Sequence, residues 1–162
     1  MLRSVLILGV IVALFIGATA LLRDDPPKPG SDIEYAEIAR EASTAVPYPL
    51  LVPADLPDGW RPNSARLVPA EPPSWHLGML TDGDDYIGIE QAKVPVDAMV
   101  AKHAEGTRAS GSSDVGGNSW KVRTNGESET TFVRRDGGVT TLVTGDAPRD
   151  QIESYIESLE PA

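Results

Sequence analysis

Cysteine is absent from the chain, and with it go disulfides, a thiol nucleophile, a thiolate metal site and the acylated cysteine of a lipoprotein. Such a chain is stabilised by packing alone. Basic residues are scarce as well: 14 Lys and Arg against 24 Asp and Glu leave a formal charge of -10. That excludes the basic footprint a nucleic-acid partner needs and disfavours adhesion to anionic lipid. Histidine occurs only as His76 and His103, without H-E-x-x-H spacing. No G-x-S-x-G elbow, phosphate loop or G-x-G-x-x-G fingerprint is found, the glycines of residues 111–117 included. The sequence therefore predicts no cofactor, no metal centre and no catalytic set.

What is present in strength is one apolar run. Residues 5–22 carry no charge, with Thr19 their only polar side chain, between Arg3 and Arg23-Asp24-Asp25. This is long enough to cross the roughly 30 Å hydrocarbon core as one helix. Ala18-Thr19-Ala20 also fits the small-residue pattern cut by signal peptidase. Leu21 and Leu22 continue the hydrophobicity and the basic segment before it is thin, which favours an uncleaved anchor. On either reading the N-terminus stays inside and the rest is exported. The expected organisation is a transmembrane anchor over residues 1–23, a proline-rich linker over 24–31 and an extracytoplasmic domain over 32–162. About 130 residues suit one domain with a real core.

Ser31-Asp32-Ile33-Glu34 has the form of a capping box, and Tyr35, Ile38, Ala39, Ala42 and Val46 then form an apolar helical stripe ended by Pro47. Prolines recur to Pro62, so this stretch reads as an extended arm closed by the turn Pro57-Asp58-Gly59-Trp60. Strands are expected over 63–68, 75–80 and 86–92, the last two joined in a hairpin by Thr81-Asp82-Gly83-Asp84-Asp85. Val96, Met99, Val100 and His103 fall at helical spacing after Pro95. A second block follows, with weak strands over 107–112 and 119–124, a hairpin over 129–135 and 139–144, and a closing helix capped by Asp146 with Ile152, Tyr155, Ile156 and Leu159 as its stripe. Two successive units of antiparallel strands and a helix give an α+β domain, an antiparallel sheet with helices on one face.

The first hairpin yields a candidate surface site. A symmetric five-residue loop sets Leu80 opposite Tyr86, Gly78 opposite Gly88 and His76 opposite Glu90. One face is then apolar, through Trp75, Leu77, Met79, Ile87 and Ile89; the other carries His76, Gly78, Tyr86, Gly88 and Glu90. This second face reads either as a small concavity in which Glu90 orients His76, or as a rim pair beside glycines that let a helix or arm approach. The second reading is preferred. His103 in the last turn of its helix suits the dipole, the Asp82, Asp84 and Asp85 turn lacks the donor pattern of a calcium loop, and Ser74 shares a face with His76 without a defined acid. Trp60, Trp75 and Trp120 read as core rather than as a stacking surface.

Tyr48-Pro49-Leu50-Leu51-Val52-Pro53 leading to Leu56-Pro57-Asp58-Gly59-Trp60-Arg61-Pro62, with Trp75-His76-Leu77-Gly78 and Tyr86-Ile87-Gly88-Ile89-Glu90-Gln91, resembles the actinobacterial membrane proteins grouped as domain of unknown function 4245. The resemblance implies a single-pass exported protein of a high-GC Gram-positive bacterium and supplies no activity. Residues 131–159 more loosely resemble the strand, turn, strand and helix that close other small extracytoplasmic domains, some on anti-sigma factors.

The expectation is a non-catalytic binding or scaffolding domain tethered at the cell envelope, with the membrane as one partner and an envelope protein, lipid or glycan as another. The alternatives are an envelope hydrolase or metal-dependent enzyme centred on His76 and Glu90, and a carrier that needs an enclosed apolar cavity.

Overall fold

The computed structural model describes residues 33–126 and 128–162. The expected anchor and linker, and the Ser31 capping box, lie outside them. Helix α1 (Tyr35–Ser43) starts with Glu34 at its N-cap and turns Ala39 and Ala42 inward. The arm that follows contributes buried Tyr48, Leu50 and Val52 to the core. Its residues Leu51–Pro53 form β1, which pairs with the last strand, β9 (Leu159–Pro161), in a small antiparallel ribbon that the sequence reading did not anticipate.

The other strands, in chain order, are β2 (Arg61–Val68), β3 (Ser74–Leu80), β4 (Tyr86–Ala92), β5 (Arg108–Val115), β6 (Asn118–Thr124), β7 (Thr130–Asp136) and β8 (Val139–Gly145). They form one sheet in the order β2-β3-β4-β8-β7-β6-β5, antiparallel throughout. Two meanders thus meet through their final strands, β4 and β8. Gly137 and Gly138, both at positive φ, make the two-residue turn between β7 and β8, the conformation a tight hairpin requires.

One expectation about the layers is corrected. Helix α3 (Arg149–Glu157) and α1 cover the face bearing Trp75, Ile89, Val143 and Phe132, but α2 (Val96–His103) does not join them. Its Met99 packs with Ala92, Val133 and Leu142, whose side chains alternate to the opposite face. Helices therefore lie on both faces. The reason is local: Phe132-Val133 and Leu142-Val143 make the central strands apolar on both sides, so each side needs a cover. A two-fold axis at the antiparallel β4–β8 pair would bring both trailing helices to one face, so the two units are an architectural echo and not a symmetric repeat. Asp146 does not cap α3 either; Pro148 holds the N-cap, and Asp146 Oδ1 accepts the Tyr86 amide at 2.6 Å.

Candidate functional site

The β3–β4 register sets His76 opposite Glu90 and Gly78 opposite Gly88, as the symmetric loop predicts. On β2, Ser64 stands opposite Gly78 and Arg66 opposite His76. The geometry links these into a chain. Ser64 Oγ lies 2.8 Å from His76 Nε2, and His76 Nδ1 lies 2.5 Å from Glu90 Oε1. From the last turn of α2, His103 Nδ1 reaches the same Oε1 at 3.3 Å. An ionised carboxylate only accepts, so both imidazoles donate through Nδ1–H. His76 Nε2 in the neutral ring is then an acceptor, and Ser64 donates to it.

His76 and Glu90 are only 8% and 7% exposed. Burial raises the Glu90 pKa, but hydrogen bonds from His103 and His76, and the attraction of either imidazole when it is protonated, outweigh it and hold the carboxyl below its ordinary value. The imidazoles are what keep a nearly dry carboxylate ionised. Tyr86 occupies the glycine patch rather than walling it: a Cβ on Gly88 would fall 2.4 Å from the Tyr86 hydroxyl, and one on Gly78 3.0 Å from its ring. The glycines admit neither a helix nor an arm but this ring, in the manner of an aromatic lying over bare sheet backbone. Burial, and secondarily the Glu90 charge, raise the Tyr86 pKa, against a lowering by Arg66.

Beside this chain lies an open cleft of about 540 Å³, between the end of α2, the start of β4, the end of β8 and the segment before β7. Its lining includes Tyr86, Glu90, Lys102, His103, Glu129 and Asp146, and among the described residues no aliphatic side chain. Glu129 Oε1 accepts from Thr144 at 2.8 Å and Oε2 from Asn125 at 3.3 Å, so the far wall is an ordered acidic shelf opposite Lys102. Ser64 and His76 do not line it.

His76, Gly78, Tyr86, Gly88 and Glu90 thus share one face, and His103, which nothing in the sequence tied to them, joins through Glu90. Ser74 is not the serine partner; Ser64 is. The loop over residues 69–73 is as symmetric as the one after β3, so the same register argument carried one strand upstream finds Ser64. Lys102 and Glu129 carry no such signal, because only tertiary packing brings them to one cleft. The aspartate turn is held by Thr81, whose Oγ1 accepts the Asp85 amide at 3.1 Å, and by an Arg61–Asp84 ion pair. Among the described residues no cluster of three or more His, Asp or Glu is placed to hold a metal ion. Trp75 and Trp120 are buried, and Trp60 stacks on Tyr155 with ring centroids 6.3 Å apart.

The family model described as "Protein of unknown function (DUF4245)" matches residues 1–159. The chain belongs to this family. No curated protein matches this DUF4245 member. Among solved structures, a chain of the Pseudomonas aeruginosa MucA/MucB complex aligns at 15% identity and a TM-score of 0.41, over 68% of this chain and 34% of that one. A chain from a crystal structure of MucB in complex with MucA(peri) aligns at 14% identity and a TM-score of 0.42, over 68% and 36%. This chain spans about a third of the length of those it matches. The likeness is too slight to bear on function.

Proposed function

We propose that the chain is a membrane-tethered, extracytoplasmic binding domain whose polar cleft beside Glu90 receives its partner. The observation that carries this reading is the cleft: an open, aliphatic-free recess with Lys102 and His103 on one side and the acidic shelf of Glu129 and Asp146 on the other. Opposed charges across one recess suit a polar partner with both signs, such as a peptide segment, and do not suit a hydrophobic cargo. The tether is inferred from the apolar run of residues 5–22 and lies outside the described residues; among those, no helix is long and apolar enough to cross a membrane. The test is site-specific photocrosslinking in intact cells from Ser128, at the cleft, and from Arg108, on distant β5. A product formed from Ser128 only, and lost on Lys102→Glu, is the expected result. Equal products from both positions sink the reading.

The second reading is hydrolysis, and the Ser64–His76–Glu90 chain favours it. Ser64 would pass its proton to His76 Nε2 and attack an acyl carbon, with Glu90 holding His76 through Nδ1–H. The imidazolium would return that proton to the departing alcohol or amine as its bond to the acyl carbon breaks, and water would then release the acyl group from Ser64. Against it, Ser64 lies in a strand paired along β3, without a helix N-terminus to supply oxyanion donors. A fluorophosphonate discriminates: labelling of Ser64 that vanishes in His76→Ala establishes the hydrolase, and an unlabelled Ser64 leaves the binding domain.

A further inference from the structure

The sheet forks at one end. Strands β6 and β7 pair from Thr124–Thr130 to Lys121–Val133 and no further, although β6 begins at Asn118 and β7 runs on to Asp136. In the fork lies a groove of about 470 Å³, separate from the Glu90 cleft. Lys121, Arg134 and Arg135 line it over the apolar floor of Val96 and Val133, and among the described residues no Asp or Glu does. In a chain of formal charge -10, three cations thus share the lining of one groove.

Arg134 is held in place. Its Nη1 donates to Asn118 Oδ1 at 2.7 Å, and its guanidinium carbon sits 5.1 Å from the Trp120 ring centroid. The Nε–H is buried and has no hydrogen-bond partner among the described residues. Asn118 and Trp120 thus fix the plane of a guanidinium that lines the groove, and a guanidinium so held can grip an oxyanion with two parallel bonds. Alternation along β7 places Arg135 with Val133 and Lys121 on the other side of the fork. A carboxylate would be satisfied by Arg134 alone. Cations converging from two sides match a phosphate, with more charge and oxygens in more directions.

We infer that the β6–β7 fork is an anion site for a phosphate ester with a neutral, polar body, such as a sugar phosphate. The surrounding negative charge selects for a small anion that enters the groove and against an extended anionic surface. The test is a titration of the full-length, isotope-labelled chain in neutral detergent with glucose 1-phosphate, followed by amide chemical shifts at low salt, with glucose as control. Saturable shifts confined to Trp120, Lys121, Arg134 and Arg135, absent with glucose and weakened about tenfold or more in Lys121→Gln/Arg135→Gln, are expected. Both substituted residues are exposed, so an otherwise unchanged spectrum reports a retained fold. Shifts scattered over unrelated cations such as Lys93 and Arg108, or an affinity unchanged in the double variant, overturn the proposal. So does tighter binding to phosphatidylglycerol vesicles than to the soluble ester, which would make a lipid surface the source of the phosphate.

Discussion

Glu90 and Tyr86 show how single residues set the character of the polar face. The carboxyl of Glu90 is held below its ordinary pKa of 4.5, so the stability it supplies is complete above that value and is lost as pH falls through the lower, folded-state value. Replacing it by glutamine leaves two imidazole N–H groups on a neutral amide and should cost about 2–3 kcal/mol near neutral pH. The same variant should flatten the acid limb of stability. Urea midpoints measured from about pH 6 down to pH 3 check this, and an unchanged slope in Glu90→Gln would place the acid sensitivity elsewhere. Gly88 is a gentler case, because the atom a new methyl meets is the free end of the Tyr86 side chain. Gly88→Ala should cost about 1 kcal/mol in the parent chain and almost nothing in Tyr86→Ala, a coupling that a double-mutant cycle reads directly.

At the scale of elements, the β4–β8 seam decides whether there is one sheet or two meanders. Gly145 sits in it, opposite Ile87, and a Cβ there would fall 2.1 Å from the Tyr86 carbonyl oxygen. Backbone cannot swing aside as a tyrosine ring can. Gly145→Ala should therefore cost about 3 kcal/mol or more, well beyond Gly88→Ala, with loss of amide protection across Ile87 and Ile89. Comparable costs for the two alanines would show that the seam yields. Much of this layer was legible beforehand. The β3–β4 pairing followed from a loop of known length and a period-2 pattern, and α3 from its stripe. Which face α2 covers was legible too, in the consecutive apolar pairs Phe132-Val133 and Leu142-Val143, which mark strands buried on both sides. Alternation, the mark of a strand with one solvated face, does not reveal them. Joining β4 to β8 was a different matter, since strands 50 residues apart carry no local signal of their partnership. The Glu90–His103 contact was hidden for the same reason: it exists only because α2 crosses the polar face and ends beside β4.

Across the whole molecule, the beginning and end of the described chain are tied to one another. The arm buries Leu50 completely and Val52 nearly so, yet proline-rich sequence on both sides gives it little means to hold itself there. The chain end supplies it. Strand β9 pairs with β1, the Ala54 amide donates to the Ser158 carbonyl at 2.8 Å, and the Ala162 amide donates to the Leu50 carbonyl at 2.9 Å. The Leu51 amide is anchored separately, by Gln91 Oε1 at 2.7 Å, and Gln91 Nε2 in turn donates to Thr141 Oγ1 at 3.3 Å in the central sheet. Three short residues of pairing and one buried glutamine thus fasten the arm over the core. Deleting residues 159–162 removes the first fastening and spares the second. Amide exchange at Val52, which pairs with Glu160, should then quicken by about two orders of magnitude, equivalent to roughly 3 kcal/mol of local stability, while Ala54, whose acceptor Ser158 is retained, and Leu51, held by Gln91, lose less. Ile89 and Val143, in the sheet beneath, should keep their protection. If instead protection falls uniformly, the arm is part of the global unfolding unit and β9 acts as a keystone of the whole domain rather than as a local clamp.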